Sequence, residues 1–523
     1  MRAHLLFFLS LCSLAPLMAQ EQIIPKPVSI ERGAGAPIEL QAQSRILLDR
    51  SNTELVKAAR LMQQSLHQAT GYACQLGDDV QSAQNHDIII KQDASLREKS
   101  PEAYRIRATN SGIRIDVASH RGLLNALASI MQMLPADGAQ LSASPFIIED
   151  YPRFAWRGFL LDEARYFFGV DAVKQLLDQM HLLKMNVLHW HLTDDAGWRI
   201  EIKRYPRLTE IGAHRSDTEI ETWGSGKYSG QAVSGYYTQA QIRDIVAYAA
   251  ARNIMIVPEV DIPAHSSAAA VSYPELSLKT PSAVPTSFTI NTAIDPTKEF
   301  SYTFYQHVFE ELAELFPCPY LHMGGDEVRF DEQWEGEPAI SAFMSQHKMR
   351  HFEELQRYFT IKMNHIIKNI GRRSIAWNEI LHRGASSSPD WDTGIIIHHW
   401  VGGDKALREA IAAGHEVINA SSNHTYLARS YENIPLEKAY AFDPLIEGLS
   451  PEQEQQILGL SCQMWTEWTP TLARMHEQAF PRAIAYAETG WSPKEAKCYK
   501  DFTQRLKHYL KRLEAMGISY KRT

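Results

Sequence analysis

A chain of 523 residues, 45% hydrophobic and 22% charged, is long enough for two globular domains with a sizeable core. Its formal charge of −8, with no run of five or more like charges, leaves no electrostatic footprint for nucleic acid or an anionic membrane surface. A neutral small molecule or polymer is the partner these values leave.

The first residues, MRAHLLFFLSLCSLAPLMAQ, combine Arg2, a short apolar run and Ala19 ahead of a polar exit, the pattern of a secretory leader. Residues 1–19 are therefore expected to be a signal peptide, with a mature periplasmic or secreted protein starting near Gln20 or Glu21. No later stretch is apolar enough to be a transmembrane segment. Cys12 follows Leu11, whereas a lipid-anchored cysteine normally follows a small residue, which counts against a lipoprotein. Cys74, Cys318, Cys462 and Cys498 form no CxxC pair and are expected to be free, mostly buried thiols.

Residues 20–149 read as a small α/β domain with no recognisable chemistry. The spacing of apolar residues predicts a helix over 53–71 ending at Gly71, and a second over 120–135 closed by Pro135. DIIIKQ (87–92) and the alternating stretch 104–119, turning at Asn110, Ser111 and Gly112, read as strands.

From residue 150 to 523 short apolar strands alternate with amphipathic helices. Strands are expected at 157–162, 186–194, 254–261, 320–327, 374–380, 394–400, 415–421 and 458–467, with helices in DAVKQLLDQMHLLKM, QAQIRDIVAYAAARN, SYTFYQHVFEELAELF, FEELQRYFTIKMNHIIK and DKALREAIAAG. Eight strands with helices between them predict a (β/α)8 TIM barrel, whose C-terminal strand ends form the active face. At those ends stand Asp162, Asp194, Asp261, Asp326 with Glu327, Trp377 with Glu379, Trp400, and Trp465 with Glu467. The region from about residue 496 reads as a surface helix and tail.

In LHMGGDEV (321–328) two acids follow two glycines inside an apolar segment. Gly324 and Gly325 allow the backbone to bend and a ligand to come close. Two acids in a partly dry pocket cannot ionise equally, so one is expected protonated and the other charged, as glycoside cleavage requires. A metal site drawn from HWHLTDD (189–195), His265 and His322 is the competing chemistry, but HExxH and facial-triad spacings are absent, and no metal or other cofactor is expected. Of the eleven tryptophans, Trp377, Trp400, Trp465 and Trp491 fall in or beside the second half of the barrel, as walls of a slot that packs on sugar faces.

The motifs RGFLLDEAR, HWHLTDDAGWR, VPEVDIPAH, HMGGDEV, AWNEI, CQMWTEW and FPRAIAYAETGW, in this order, resemble the family 20 glycoside hydrolases, the β-N-acetylhexosaminidases. The resemblance runs over about residues 22–495 and implies a retaining exo-hydrolase of terminal β-linked N-acetylglucosamine or N-acetylgalactosamine, in which the substrate's own 2-acetamido group is the nucleophile. It implies that Glu327 is the general acid and then base, that Asp326 orients the acetamide, and that Asp194 and His265 support the acid. Arg165 and Glu467 then bind sugar hydroxyls, Trp377, Trp400 and Trp465 wall the acetamido methyl and ring, and Tyr426 holds the acetamido oxygen. The partner implied is an oligosaccharide or glycoconjugate ending in N-acetylhexosamine; the sequence sets no oligomeric state.

Two departures stand out. Ala428 occupies the place of an aspartate that contacts outer hydroxyls, with Asp443 as a candidate substitute, and Ala264 replaces the glycine usual before the histidine. A catalytically silent glycan-binding protein on the same fold is the alternative from another class, and loss of Asp326 or Glu327 would be its signature. Both acids are present.

Overall fold

The computed structural model describes residues 21–109, 111–134, 142–381 and 391–522. The expected signal peptide, the turn residue Asn110 and the helix stop Pro135 lie outside the described residues. Among those described, no helix is long and apolar enough to cross a membrane.

The N-terminal domain is a mixed seven-stranded sheet that includes the hairpin Tyr104–Thr109 and Gly112–Val117 and ends with Phe146–Asp150. Helix Thr53–Thr70 packs against helix His120–Met133. The first is capped by the Asn52 side chain and stopped by Gly71 in the left-handed conformation at φ 76°. The second is buried almost all round, because it also packs on the first barrel helix, Val170–Leu182. Its run GLLNALASIM is therefore apolar on nearly every face.

All eight expected barrel strands form, in sequence order and parallel, and the first (Trp156–Asp162) pairs with the eighth (Ile457–Met464) to close the barrel. Between these two run Val187–His191, Met255–Glu259, Tyr320–His322, Arg373–Trp377, Ile396–His399 and Val417–Asn419. The five expected helices appear at Val170–Leu182, Gln239–Ala250, Glu299–Leu315, Phe352–Asn369 and Gly403–Ala412. Several strands stop earlier than the apolar runs predict. The fourth ends at His322 because Gly324 and Gly325 turn the chain with φ of 67° and 103°. The third ends at Glu259, and the second at His191 before the short hairpin of Thr193–Asp194 with Gly197–Trp198.

Buried ion pairs fasten the two domains. Lys184 Nζ lies 2.8 Å from both Asp150 Oδ2 and the Tyr104 hydroxyl, and Arg157 Nη2 donates to Glu102 Oε2 at 2.6 Å. Trp491 sits at this junction rather than in a sugar slot, its indole donating to Asp150 Oδ1 at 2.8 Å. The C-terminal helix Tyr499–Ala515 is more than the surface helix expected. It buries Phe502, Leu506, Tyr509 and Leu513, and Arg505 reaches Glu488 with two hydrogen bonds of 2.6 and 2.7 Å while also donating to the Ile23 carbonyl. The four described cysteines are free; Cys74, Cys318 and Cys462 are buried and Cys498 is exposed.

Candidate active site

The C-terminal strand ends enclose a pocket of about 670 Å³, a volume suited to a small ligand. Arg165, Asp194, His265, Asp326, Glu327, Trp377, Trp400, Tyr426, Trp465 and Glu467 all line it. Asp443 does not. It pairs with Arg153 at 3.0 Å and Lys494 at 3.3 Å, so it is no substitute for an acid at position 428.

The double glycine positions the two acids. A Cβ on Gly324 would fall 1.6 Å from Asp261 Oδ1, and one on Gly325 would fall 2.5 Å from Ile380 Cγ2. Protein groups, not a ligand, thus demand the missing side chains. Past this turn Asp326 is buried, whereas Glu327, at φ 50°, leaves its side chain about half exposed, 48%, at the mouth. The Glu327 amide donates to Glu379 Oε1 at 3.4 Å, and its carbonyl accepts from Asn291 Nδ2 at 3.3 Å.

A chain of charges runs back from Glu327 into the barrel. His265 Nε2 lies 3.5 Å from Glu327 Oε2 and 3.8 Å from Asp326 Oδ2, and its Nδ1 is 3.2 Å from Asp195 and 3.4 Å from Asp194. Asp194 Oδ2 also pairs with Arg165 at 2.8 Å and His191 at 3.1 Å. His191 Nδ1 meets Glu259 Oε2 at 2.6 Å, and Glu259 accepts from the Trp377 indole at 2.9 Å. Against their burial, Arg165 and His265 hold Asp194 well below the usual carboxylate range, and Asp194 holds His265 well above the usual imidazole range. Arg165 pairs with Asp162 as well, at 3.3 Å, so it is both a salt-bridge partner and a pocket wall.

Glu259 was not among the residues nominated from sequence, yet it is the hub. His189, His191 and His322 lie within 2.9 Å of its oxygens. Against complete burial, the charges of His322, His191 and His189 hold it well below the usual range. The signal was an acid in VPEVD flanked by apolar residues, matched by two histidines two apart in HWH. His189, His322 and His398 have nitrogens close enough to one another for a metal ion, but His189 and His322 already face Glu259 and His398 faces His322 at 3.3 Å. All three are buried and packed against one another, with ring centroids 4.3 to 5.5 Å apart, and the Nε2 atoms of His189 and His398 carry no protein hydrogen bond among the described residues. Glu259→Gln is expected to lower unfolding free energy by about 3–5 kcal/mol, because it strands buried partners; a shifted denaturation midpoint at constant m checks it.

The resting protonation differs from the simple expectation that the leaving-group acid holds the proton. Burial, with the charges of Glu327 and Glu259, pushes Asp326 up to about 6, while contact with His265 holds Glu327 below its usual value. Burial and the charges of Asp326 and Glu327 push Glu379 up to about 8. Asp261, also buried and facing Asp326, is raised well above the usual range. The reason is position: Asp326 sits in the dry interior, and Glu327 stands in partial solvent beside an imidazolium. Asp326 Oδ1 and Trp465 Nε1 are buried and carry no protein hydrogen bond among the described residues.

Aromatic rings bound the pocket. Trp377 stacks on His398 at 4.3 Å, Trp400 stacks with Tyr426 at 6.1 Å, and Trp400 donates to Glu379 Oε2 at 3.0 Å. At the mouth, Trp223 is 58% exposed and Ile290 44% exposed, and Trp468 meets Trp223 and Phe288 edge-on at 5.4 and 5.3 Å. Sequence reasoning missed this shelf, because Trp223 stands among glycines and serines in a long loop with no periodicity to mark it.

Two family models match the chain: glycosyl hydrolase family 20, catalytic domain, over residues 154–494, and glycosyl hydrolase family 20, domain 2, over residues 20–151. A beta-hexosaminidase of Vibrio furnissii is 35% identical over 492 residues, covering 90% of this chain and 77% of that protein. A beta-hexosaminidase of Porphyromonas gingivalis is 31% identical over 558 residues, covering 99% of this chain and 68% of that protein. Among solved structures, the exo β-N-acetylglucosaminidase of Vibrio harveyi in complex with N-acetylglucosamine is similar with a TM-score of 0.83 at 31% identity, covering 97% of this chain and 79% of that one. The N-acetyl-β-hexosaminidase of Streptomyces plicatus in complex with Thio-NAglucal has a TM-score of 0.81 at 29% identity, with 98% of each chain covered.

Proposed function

The chain belongs to glycosyl hydrolase family 20, and on that premise we propose that it is a retaining exo-β-N-acetylhexosaminidase whose pocket holds one terminal N-acetylhexosamine. The observation that carries the assignment of roles is the buried, unpartnered Asp326 Oδ1 beside the half-exposed Glu327 in an aromatic-walled pocket. Asp326 accepts from the acetamido N–H, and the acetamido carbonyl oxygen attacks the anomeric carbon. As that bond forms the glycosidic C–O bond breaks, and Glu327 gives its proton to the leaving oxygen. The ring nitrogen of the oxazolinium-like intermediate carries positive charge, which ionised Asp326 stabilises. Glu327, now a carboxylate beside His265, takes a proton from water as it opens the intermediate, and two inversions at one carbon give retention. Tyr426 holds the acetamido oxygen, Trp377, Trp400 and Trp465 enclose its methyl and the ring, and Arg165 and Glu467 bind hydroxyls.

Substrate binding supplies the proton distribution this sequence needs. An N–H donated to Asp326 favours its charged form, and a leaving group laid over Glu327 excludes solvent, which opposes the pull of His265 toward the charged form. Hydrolysis of aryl β-N-acetylglucosaminide and β-N-acetylgalactosaminide, with little hydrolysis of the aryl β-glucoside, is the expected result. Equal rates on the glucoside, which has no acetamide, would overturn substrate assistance.

The shelf of Trp223, Phe288 and Trp468 adjoins Glu327 through Asn291 and through Arg329, which donates to the Thr289 carbonyl at 2.7 Å. We infer that the leaving group meets the shelf there. Trp223→Ala is expected to raise KM for a β-linked disaccharide by about tenfold, from lost ring stacking, while sparing the methyl glycoside, whose leaving group does not reach the shelf. Parallel losses on both substrates would return Trp223 to a purely structural role. We also infer export, supported by the leader-like first residues of the chain.

A further inference from the structure

Glu219 is 1% exposed, yet it stands in an irregular segment at the pocket mouth, between the two-residue strands His214–Arg215 and Val233–Ser234. It does not line the pocket itself, whereas Trp223, Ser287, Phe288 and Trp468 do. Its carboxylate joins two loops. Oε1 accepts from the Gly226 amide at 3.4 Å, and Oε2 accepts from the Ser287 hydroxyl at 2.9 Å and the Phe288 amide at 3.3 Å. The Glu219 amide completes the junction by donating to the Thr286 carbonyl at 2.7 Å.

The two loops it joins each carry a ring of the shelf. Trp223 lies in the loop 220–227, closed by the Ile220 amide on the Lys227 carbonyl at 3.0 Å and by the Ser225 hydroxyl on the Ile220 carbonyl at 2.7 Å. Phe288 follows the third barrel strand, and Trp468 meets both rings edge-on. Gly224 and Gly226, with φ of 70° and 67°, give the Trp223 loop much backbone freedom to lose when it is ordered. An ionised carboxylate offsets that loss well, because its hydrogen bonds to main-chain amides are stronger than those of a neutral acceptor. Against its burial, the Ser287 hydroxyl and the Gly224, Gly226 and Phe288 amides hold Glu219 below the usual carboxylate range, so it is charged near neutrality. A buried acid that only closed a loop would have no reason to bridge the two segments whose rings face one another across the pocket mouth.

We propose that Glu219 is a positioning residue for the leaving group: by holding the Trp223 loop against Ser287 and Phe288 before substrate arrives, it gives the enzyme its preference for sugar leaving groups over small ones. The proposal rests on the reading of the aromatic shelf above. Glu219 touches no substrate and takes no part in the bonds made and broken. Its effect is preorganisation, since a leaving sugar that meets a shelf already in place does not lose binding energy to ordering the loop.

The test compares kcat and KM for the wild type, Glu219→Gln, Glu219→Asp, Trp223→Ala and the Glu219→Gln/Trp223→Ala double variant. The substrates are a β-linked disaccharide of N-acetylglucosamine and methyl β-N-acetylglucosaminide. Glutamine keeps the size but turns an N–H toward one set of the loop's donors. Glu219→Gln should raise KM for the disaccharide about five- to tenfold with kcat little changed, and stay within about twofold on the methyl glycoside. Glu219→Asp, which keeps the charge, should show a smaller rise, and it carries the comparison if Glu219→Gln does not fold. Because Glu219 acts through the shelf, the double variant should be within about twofold of Trp223→Ala alone. Equal losses on both substrates, an unchanged disaccharide KM in both Glu219 variants while Trp223→Ala raises it, or multiplied effects in the double variant would overturn the proposal. An unchanged disaccharide KM in Trp223→Ala would defeat the shelf reading and the proposal with it, and a wild type inactive on both substrates would defeat the hexosaminidase reading on which both stand.

Discussion

Glu327→Gln is expected to lower kcat/KM for a β-linked disaccharide of N-acetylglucosamine by about 10²- to 10⁴-fold, the range set by loss of a positioned proton donor. Glutamine keeps the size and the contact with His265, but has no proton to give. The loss should shrink for nitrophenyl glycosides, whose leaving group departs without protonation, so activity should depend more steeply on leaving-group acidity than in the wild type. Stability should change by no more than about 0.5 kcal/mol, because the side chain stands half in solvent at the mouth. Unchanged hydrolysis of the disaccharide by the variant would remove Glu327 from the acid role.

The ligand-free proton distribution gives this prediction its shape. His265 is held protonated by Asp194, so it draws Glu327 toward the charged state in which the residue acts as base in the second half of the reaction. Acid work in the first half needs the opposite. The same imidazolium can serve both halves because Asp194 and Asp195 offset its charge and because the exposed face of Glu327 is where a leaving sugar would lie. A carboxylate that swings between solvated and covered has a pKa set by its occupant.

The barrel was legible because its evidence is periodic. Each strand is a short apolar run, each following helix repeats at 3.6, and the count of eight closes. The ten nominated residues meet in one pocket because strand ends of a barrel must converge, whichever side chains they carry. Strand limits were less legible: apolar residues continue past His322 and Glu259, and only the φ of Gly324 and Gly325 ends the fourth strand. Glu259 escaped notice because a buried acid surrounded by valine and proline looks no different in sequence from a surface one; its meaning comes from histidines two strands apart. Asp443 was a candidate by composition and failed by position, since its loop turns toward Arg153. Trp223 lay beyond any pattern, in an irregular segment closed only by the two-residue strands His214–Arg215 and Val233–Ser234 and a single bridge between Glu219 and Tyr228.

Asp326→Asn is expected to cost about 10²- to 10³-fold in kcat on β-N-acetylglucosaminides, comparable to removing one preorganised group that stabilises developing charge. The amide can still orient the acetamide but cannot balance the positive charge of the oxazolinium ion. The pH profile separates the two contributions. Asp326 titrates at about 6 in the free enzyme, held up by burial and by Glu327 and Glu259, with Asp261 and His265 also facing it. The reactive free enzyme has Asp326 ionised and Glu327 protonated, and Glu327, held below its usual value by His265, gives up its proton first. Just below pH 6 the gain in protonated Glu327 offsets the loss of ionised Asp326, so the kcat/KM of the wild type should be level there; above about 6 Asp326 stays charged while Glu327 continues to lose its proton, and kcat/KM should fall about tenfold per unit. In Asp326→Asn no proton is taken up at that position, so the fall should begin at lower pH, where Glu327 itself titrates. A fall setting in at the same pH in the variant would assign it to another group and leave Asp326 as an orienting residue only.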